Sequence, residues 1–127
     1  MIARRWAPSL LWTVIIFTFT SIPDPGTAGF RIAGLDKAIH ASLYAVLAVL
    51  SARALSPARQ DGRLPRARAL LGLLLGILAL GAVDEWHQQF IAGRSMELLD
   101  WLADGVGAAG GLLAFVLNRR RSVEYSR

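Results

Sequence analysis

Two stretches of this sequence concentrate side chains that can move a proton, ligate a cation or clamp an anion. The first holds Asp36, Lys37, His40 and Tyr44, and the second holds Asp84, Glu85, Gln88, Arg94, Asp100 and Asp104. His40 with Asp36 four residues before it could form a structural hydrogen bond, a proton-transfer pair or half of a metal site. His40, Glu85 and Asp104 are the candidates for general acid–base work, which requires paired groups in different environments. Arg94 follows Gly93 between two acid-rich segments, where its planar guanidinium could clamp a carboxylate or bind a phosphate or carboxylate ligand. Lys37 poses the same choice. Glu85-Trp86-His87 is not an HExxH motif, because residues two apart on a helix project in different directions. With no cysteine in the chain, disulfides, thiolate metal sites and a Cys nucleophile are excluded. No nucleophile elbow, phosphate loop or recognised ligand spacing is present, and the expectation is neither a metal nor a cofactor.

The elements that must position these groups follow from composition. The chain has 127 residues, 54% of them apolar and 18% charged, against roughly 45–50% apolar in soluble domains. Charges cluster between long apolar runs, as membrane spans require. We expect an all-α, membrane-embedded bundle of four transmembrane helices in a single domain over 1–127. Its spans cover about 6–22, 35–55, 67–90 and 98–117, followed by a polar tail over 118–127. The first run ends at Pro23-Asp24-Pro25-Gly26, which cannot continue a helix. It lacks an A-x-A-like cleavage site and is rich in aromatics, so it reads as an uncleaved span rather than a signal peptide.

Eleven of the 14 basic residues fall on one side of this plan and seven of the nine acids on the other. The positive-inside rule counts the basic residues and places both termini in the cytoplasm, N-in/C-in. The net charge of +5 therefore reads as juxtamembrane anchoring and not as a nucleic-acid partner, since no amphipathic face collects the arginines. The outer segment 23–34 and the turn 91–97 are short, as neighbouring antiparallel helices need.

Helical periodicity then selects faces. Asp36, His40, Tyr44 and Ser51 fall within about 80° of arc, and Asp100, Asp104, Gly107 and Gly111 within about 60°. Asp84 with Gln88 and Glu85 with Gln89 make i,i+4 pairs, so the outer end of the third helix reads as polar nearly all round and emergent at the interface. Gly107 and Gly111 form a GxxxG step for helix packing, and Gly72 and Gly76 invite the same reading. An alternative for the acids is solvation at the span ends by snorkelling.

At these residues the chain resembles the VanZ-like family of small bacterial membrane proteins, named for a protein associated with teicoplanin resistance. Asp36-Lys37, His40 and Tyr44 match a D-K-x-x-H-x-x-x-Y pattern. Asp84, Glu85, Gln88, Phe90, Gly93, Arg94, Asp100 and Gly107 follow a D-E-x-x-Q-x-F…G-R…D…G order. Ala92 stands where a proline is common and Asp104 where an asparagine is often found. The resemblance implies a multi-pass protein of the bacterial cytoplasmic membrane with a link to glycopeptide resistance. Three functions are expected in this order: binding or altering the presentation of an envelope lipid, precursor or other lipophilic ligand at an outer polar pocket; lipid-interface enzymology; and proton- or ion-coupled carriage. The last is disfavoured because no polar path continues across the core. The sequence leaves the oligomeric state open.

Overall fold

The computed structural model describes residues 2–23, 34–56 and 65–125, which form four α-helices and no strand. They are α1 (Ile2–Thr20), α2 (Leu35–Leu55), α3 (Ala67–Gln88) and α4 (Leu98–Tyr125). The expected turn residues 24–26, Arg31, and Arg59 and Arg63 of the second connection lie outside the described residues. Three helices, α2, α3 and α4, are long and apolar enough to cross a membrane. α1 carries Arg4 and Arg5 inside the helix rather than before it.

Helix ends differ from the expected boundaries for identifiable reasons. α3 stops at Gln88, two residues early, because the chain tightens there: the N–H groups of Phe90 and Ile91 donate to the carbonyls of His87 and Gln88. Gly93 then reverses the chain at φ 77°, a left-handed conformation that glycine adopts without steric cost. α4 runs past the expected end at Leu117 to Tyr125. No glycine or proline interrupts Asn118 and the three arginines after it, and arginine is a good helix former.

The helices alternate in direction. The end of α1, the start of α2, the end of α3 and the start of α4 meet at one end of the bundle, where Arg94 bonds the carbonyl of Ile22 and Lys37 reaches Glu97. α2 and α4 therefore run parallel, and theirs is the most extensive helix contact. Gly107 and Gly111 sit directly on the backbone of α2. A Cβ added at Gly107 would lie 2.6 Å from the carbonyl carbon and Cα of Ala41, and one at Gly111 would lie 3.0 Å from those of Ala45. This is the close backbone approach that GxxxG steps permit. Gly72 and Gly76 correct the expectation of a second such seam: both are exposed, with nothing within 4 Å of an added Cβ.

Below the polar end, Ile16, Tyr44, Leu47, Ala48, Ala52, Ile77, Ala108, Leu112 and Phe115 form the core. The distribution of polarity is reversed from that of a water-soluble bundle. Leu10, Leu11 and Val14 of α1, Leu71 and Leu75 of α3, and Val106 and Leu113 of α4 are all more than half exposed. Asp84, Glu85, Asp104 and His40 are buried. In hydrocarbon an apolar exterior costs nothing, whereas an ionisable side chain must face the interior. Hydroxyls obey the same constraint: Thr13, Thr18, Ser42 and Ser56 each donate to the carbonyl four residues earlier. Such bonds satisfy a polar side chain within its own helix.

Candidate functional site

At the shared end of the bundle the polar side chains of α2, α3 and α4 come together in three tiers. The outermost is centred on Lys37, whose Nζ lies 2.7 Å from Asp36 Oδ2, 2.8 Å from Glu97 Oε2 and 2.8 Å from Asp100 Oδ1. The contact to Asp100 is an ion pair without hydrogen-bond alignment, since Asp100 Oδ1 has no hydrogen-bond partner. Asp36 and Glu97 face water while Asp100 is 7% exposed. Lys37 thus bridges a solvated acid from its own helix to a buried one from α4, and its charge is fully engaged by carboxylates.

The middle tier is built around His40. Its Nδ1 lies 3.0 Å from Asp104 Oδ1 and 3.8 Å from Glu85 Oε1. His40 is 6% exposed, Glu85 0% and Asp104 1%. This changes the expected pairing, because the carboxylate partner of His40 is Asp104 on α4. Asp36 is directed to Lys37 instead. Helix periodicity placed Asp36 and His40 on one face, but the ammonium next to Asp36 in sequence outcompetes an imidazole one turn away. Glu85 has two other partners: Gln88 Nε2 donates to Oε1 at 3.1 Å and the N–H of Glu97 donates to Oε2 at 2.9 Å. Arg94 closes the tier, donating from Nη1 to Gln88 Oε1 at 3.3 Å and from Nε to the Ile22 carbonyl at 2.8 Å. Its guanidinium ties the α3–α4 turn to the end of α1.

The innermost tier is Asp84. Thr20 Oγ1 donates to Asp84 Oδ1 at 2.7 Å, and the Tyr44 hydroxyl approaches Oδ2 at 3.4 Å. The first is a strong hydrogen bond to a carboxylate and the second is at the edge of the useful range. Beside them Gly81 makes room. A Cβ there would lie 3.2 Å from Asp104 Oδ2, 3.3 Å from Trp101 Cδ1 and 3.5 Å from Tyr44 Cε1. Trp101 is fixed by its indole N–H donating to the Leu78 carbonyl at 2.9 Å, and Trp12 of α1 likewise donates to Leu43 at 2.9 Å.

All ten polar residues singled out from the sequence lie in this network. The expectation that the end of α3 emerges into the interface is corrected, since Asp84, Glu85 and Gln88 are buried while Trp86, Gln89 and Phe90 on its other face are exposed. The Gln88 amide bonds Glu85, not Asp84. His87 points away from the network to Phe17 of α1, with ring centroids 6.0 Å apart, so Glu85 and His87 indeed serve different faces. Sequence reasoning missed Thr20 and Glu97 as partners. Thr20 ends an apolar run like any interfacial threonine. Glu97 carries one structural signal visible in its surroundings: it precedes α4, where its carbonyl accepts the N–H of Asp100.

Chemically, the middle tier sets an imidazole between two carboxylates from different helices, in a setting closed to water. It can hold a proton at Nδ1. The outer tier can exchange with solvent or a lipid head group because Asp36 and Glu97 are accessible. Compared with models of known protein families, with characterised proteins and with solved structures, the chain matches none.

Proposed function

We propose that this chain is a VanZ-like protein of the bacterial cytoplasmic membrane that binds, or alters the presentation of, an envelope lipid or lipid-linked precursor at its outward polar end. In this reading α1 is the fourth span and both termini face the cytoplasm, which puts the three-tier network beside the outer leaflet. The observation that carries the proposal is the convergence of buried polar side chains from three helices at one bundle end, next to an apolar flank. Phe90, Met96, Leu98 and Leu99 are exposed there, within reach of lipid chains, while Lys37, Asp36 and Glu97 offer charged groups at the rim.

The rim narrows the kind of head group that fits. Lys37 is shared among three carboxylates, so the rim is net acidic and disfavours a bare anion. A head group bearing an ammonium or hydroxyls can bond Asp36 and Glu97 without opening the network. The link to glycopeptide action then follows from place: such antibiotics meet their target outside this membrane. Expression in a susceptible bacterium should change the teicoplanin concentration that stops growth. Asp84→Asn and Arg94→Ala, at matched membrane abundance, should each abolish that change. Wild-type behaviour in both variants would sink the proposal.

A second reading has its own observation in the 3.0 Å approach of His40 to Asp104. It makes the protein an enzyme on a lipid-linked substrate, with His40 as general acid or base and Asp104 or Glu85 as its partner. Purified protein that left envelope lipids unchanged would count against it.

A further inference from the structure

Resting on the envelope-lipid reading above, we infer that Asp36, Glu97 and Asp100 form a cage for the primary ammonium of a lipid head group, which the chain's own Lys37 occupies as an exchangeable stand-in. Carboxylates from α2, from the residue before α4 and from α4 itself converge on one Nζ at 2.7, 2.8 and 2.8 Å. These are the separations of charge-assisted N–H···O bonds, and an ammonium carries three donors to make them. Metal ions draw carboxylate oxygens to about 2.0–2.6 Å, so the spacing is that of an ammonium.

Acids gathered at a helix end are common, and what marks this group is how incompletely Lys37 serves it. Lys37 donates to Asp36 and Glu97. Asp100 is 7% exposed and its Oδ1 lies 2.8 Å from the same Nζ, yet that oxygen has no hydrogen-bond partner. Buried carboxylate oxygens are normally satisfied. The Lys37 ammonium hangs from α2, which fixes its direction of approach, whereas an ammonium arriving from outside can aim one N–H at each of the three carboxylates.

Access and charge fit a zwitterionic lipid. The side chains of Asp36 and Glu97 are 56% and 44% exposed and that of Lys37 is 29% exposed, while Met96, Leu98 and Leu99 present apolar surface on either side of Glu97. A phosphoethanolamine head group meets Asp36 and Glu97 at the rim, and taking the place of Lys37 gives it Asp100 as well. The charge inside the cage is unchanged by the exchange, and the displaced Lys37 becomes free to pair with the phosphate of the same head group. A choline head group has no N–H to offer, and an anionic one meets three carboxylates.

The test empties the cage with Lys37→Met in detergent-solubilised full-length protein and adds methylammonium, with tetramethylammonium and sodium at equal ionic strength as controls. Methylammonium should return the unfolding midpoint of Lys37→Met toward wild type as its concentration rises, and neither control should. Adding Asp100→Asn to Lys37→Met should remove the rescue. Native mass spectrometry with phosphatidylethanolamine, phosphatidylcholine and phosphatidylglycerol is the second measurement, and on wild type it stands even if Lys37→Met does not fold. Wild type should prefer phosphatidylethanolamine, and Lys37→Met should bind it at least about tenfold more tightly than phosphatidylcholine. Lys37→Met that gains no more from methylammonium than from sodium, or rescue that persists with Asp100→Asn, overturns the cage. Equal binding of the three lipids by wild type overturns the lipid as its occupant. Neither measurement involves teicoplanin, so rescue and lipid preference beside an unchanged teicoplanin response would overturn the function proposed above and leave the cage standing.

Discussion

Adding one methyl group at Gly107 should open the most extensive helix contact in the bundle, whereas the same change at Gly72 or Gly76 should not. At Gly107 the new Cβ would stand 2.6 Å from the Ala41 carbonyl carbon and Cα, where ordinary contact begins near 3.4 Å. The obstacle is backbone, with the carbonyl oxygens of Ala41 and Ala45 nearer still, so α2 and α4 must separate by roughly 1 Å or more at Gly107 and by somewhat less at Gly111. Overpacking of this kind costs about 1–3 kcal/mol, and the Gly→Ala change returns up to about 1 kcal/mol of helix propensity. The net expectation is a loss of about 2 kcal/mol for Gly107→Ala and about 1 kcal/mol for Gly111→Ala. At Gly72 and Gly76 an added Cβ meets nothing within 4 Å, so only the propensity gain remains and those variants should match or slightly exceed wild type. Reversible unfolding in mixed micelles, titrated with a denaturing detergent and followed by the fluorescence of the four tryptophans, measures the differences. Gly107→Ala as stable as wild type, or Gly72→Ala as damaging as Gly107→Ala, would refute the packing argument.

Two further outcomes follow from the polar network. Thr20→Val removes a 2.7 Å hydrogen bond to the buried Asp84 carboxylate and should cost about 1.5–3 kcal/mol, while Tyr44→Phe gives up only a 3.4 Å contact to the same group and should cost under about 1 kcal/mol; the same unfolding titration ranks them, and the reverse order would contradict the geometry. Lys37→Met leaves Asp100 buried without its cation, so it should destabilise more than the Lys37→Met, Asp100→Leu pair, in which neither charge remains; a double-mutant cycle reads the coupling, and strictly additive effects would show that the 2.8 Å ion pair carries no weight.

How much of this is legible in the sequence depends on the range of the interaction. Apolar runs bounded by arginine and proline mark three of the helices closely, because burial in lipid selects on local composition. The inward faces of α2 and α4 are legible too, since polar groups at one-turn spacing share a face wherever the helix sits. The partner of His40 is not legible. It lies 64 positions away, and the parallel register of α2 and α4 that joins them is set by Gly107 and Gly111 against Ala41 and Ala45. Nor does spacing separate the two glycine pairs. Each reads as small-xxx-small, and only the assembled bundle shows that one faces a neighbouring backbone and the other faces outward. The burial of Asp84, Glu85 and Gln88 has the same origin, because a helix end that is polar on most sides looks solvated until two other helices and the end of α1 close over it.

The proposed topology, in which the acidic, histidine-containing end of the bundle faces outward, can be tested directly. The chain has no cysteine, so a single one can be introduced at Ser95, in the α3–α4 turn, or at Ser122, near the end of α4; both positions are exposed. Intact cells expressing each variant are treated with a membrane-impermeant maleimide, before and after permeabilisation. Ser95→Cys should label in intact cells and Ser122→Cys only once the membrane is opened. The opposite pattern, or equal labelling of both in intact cells, would contradict it.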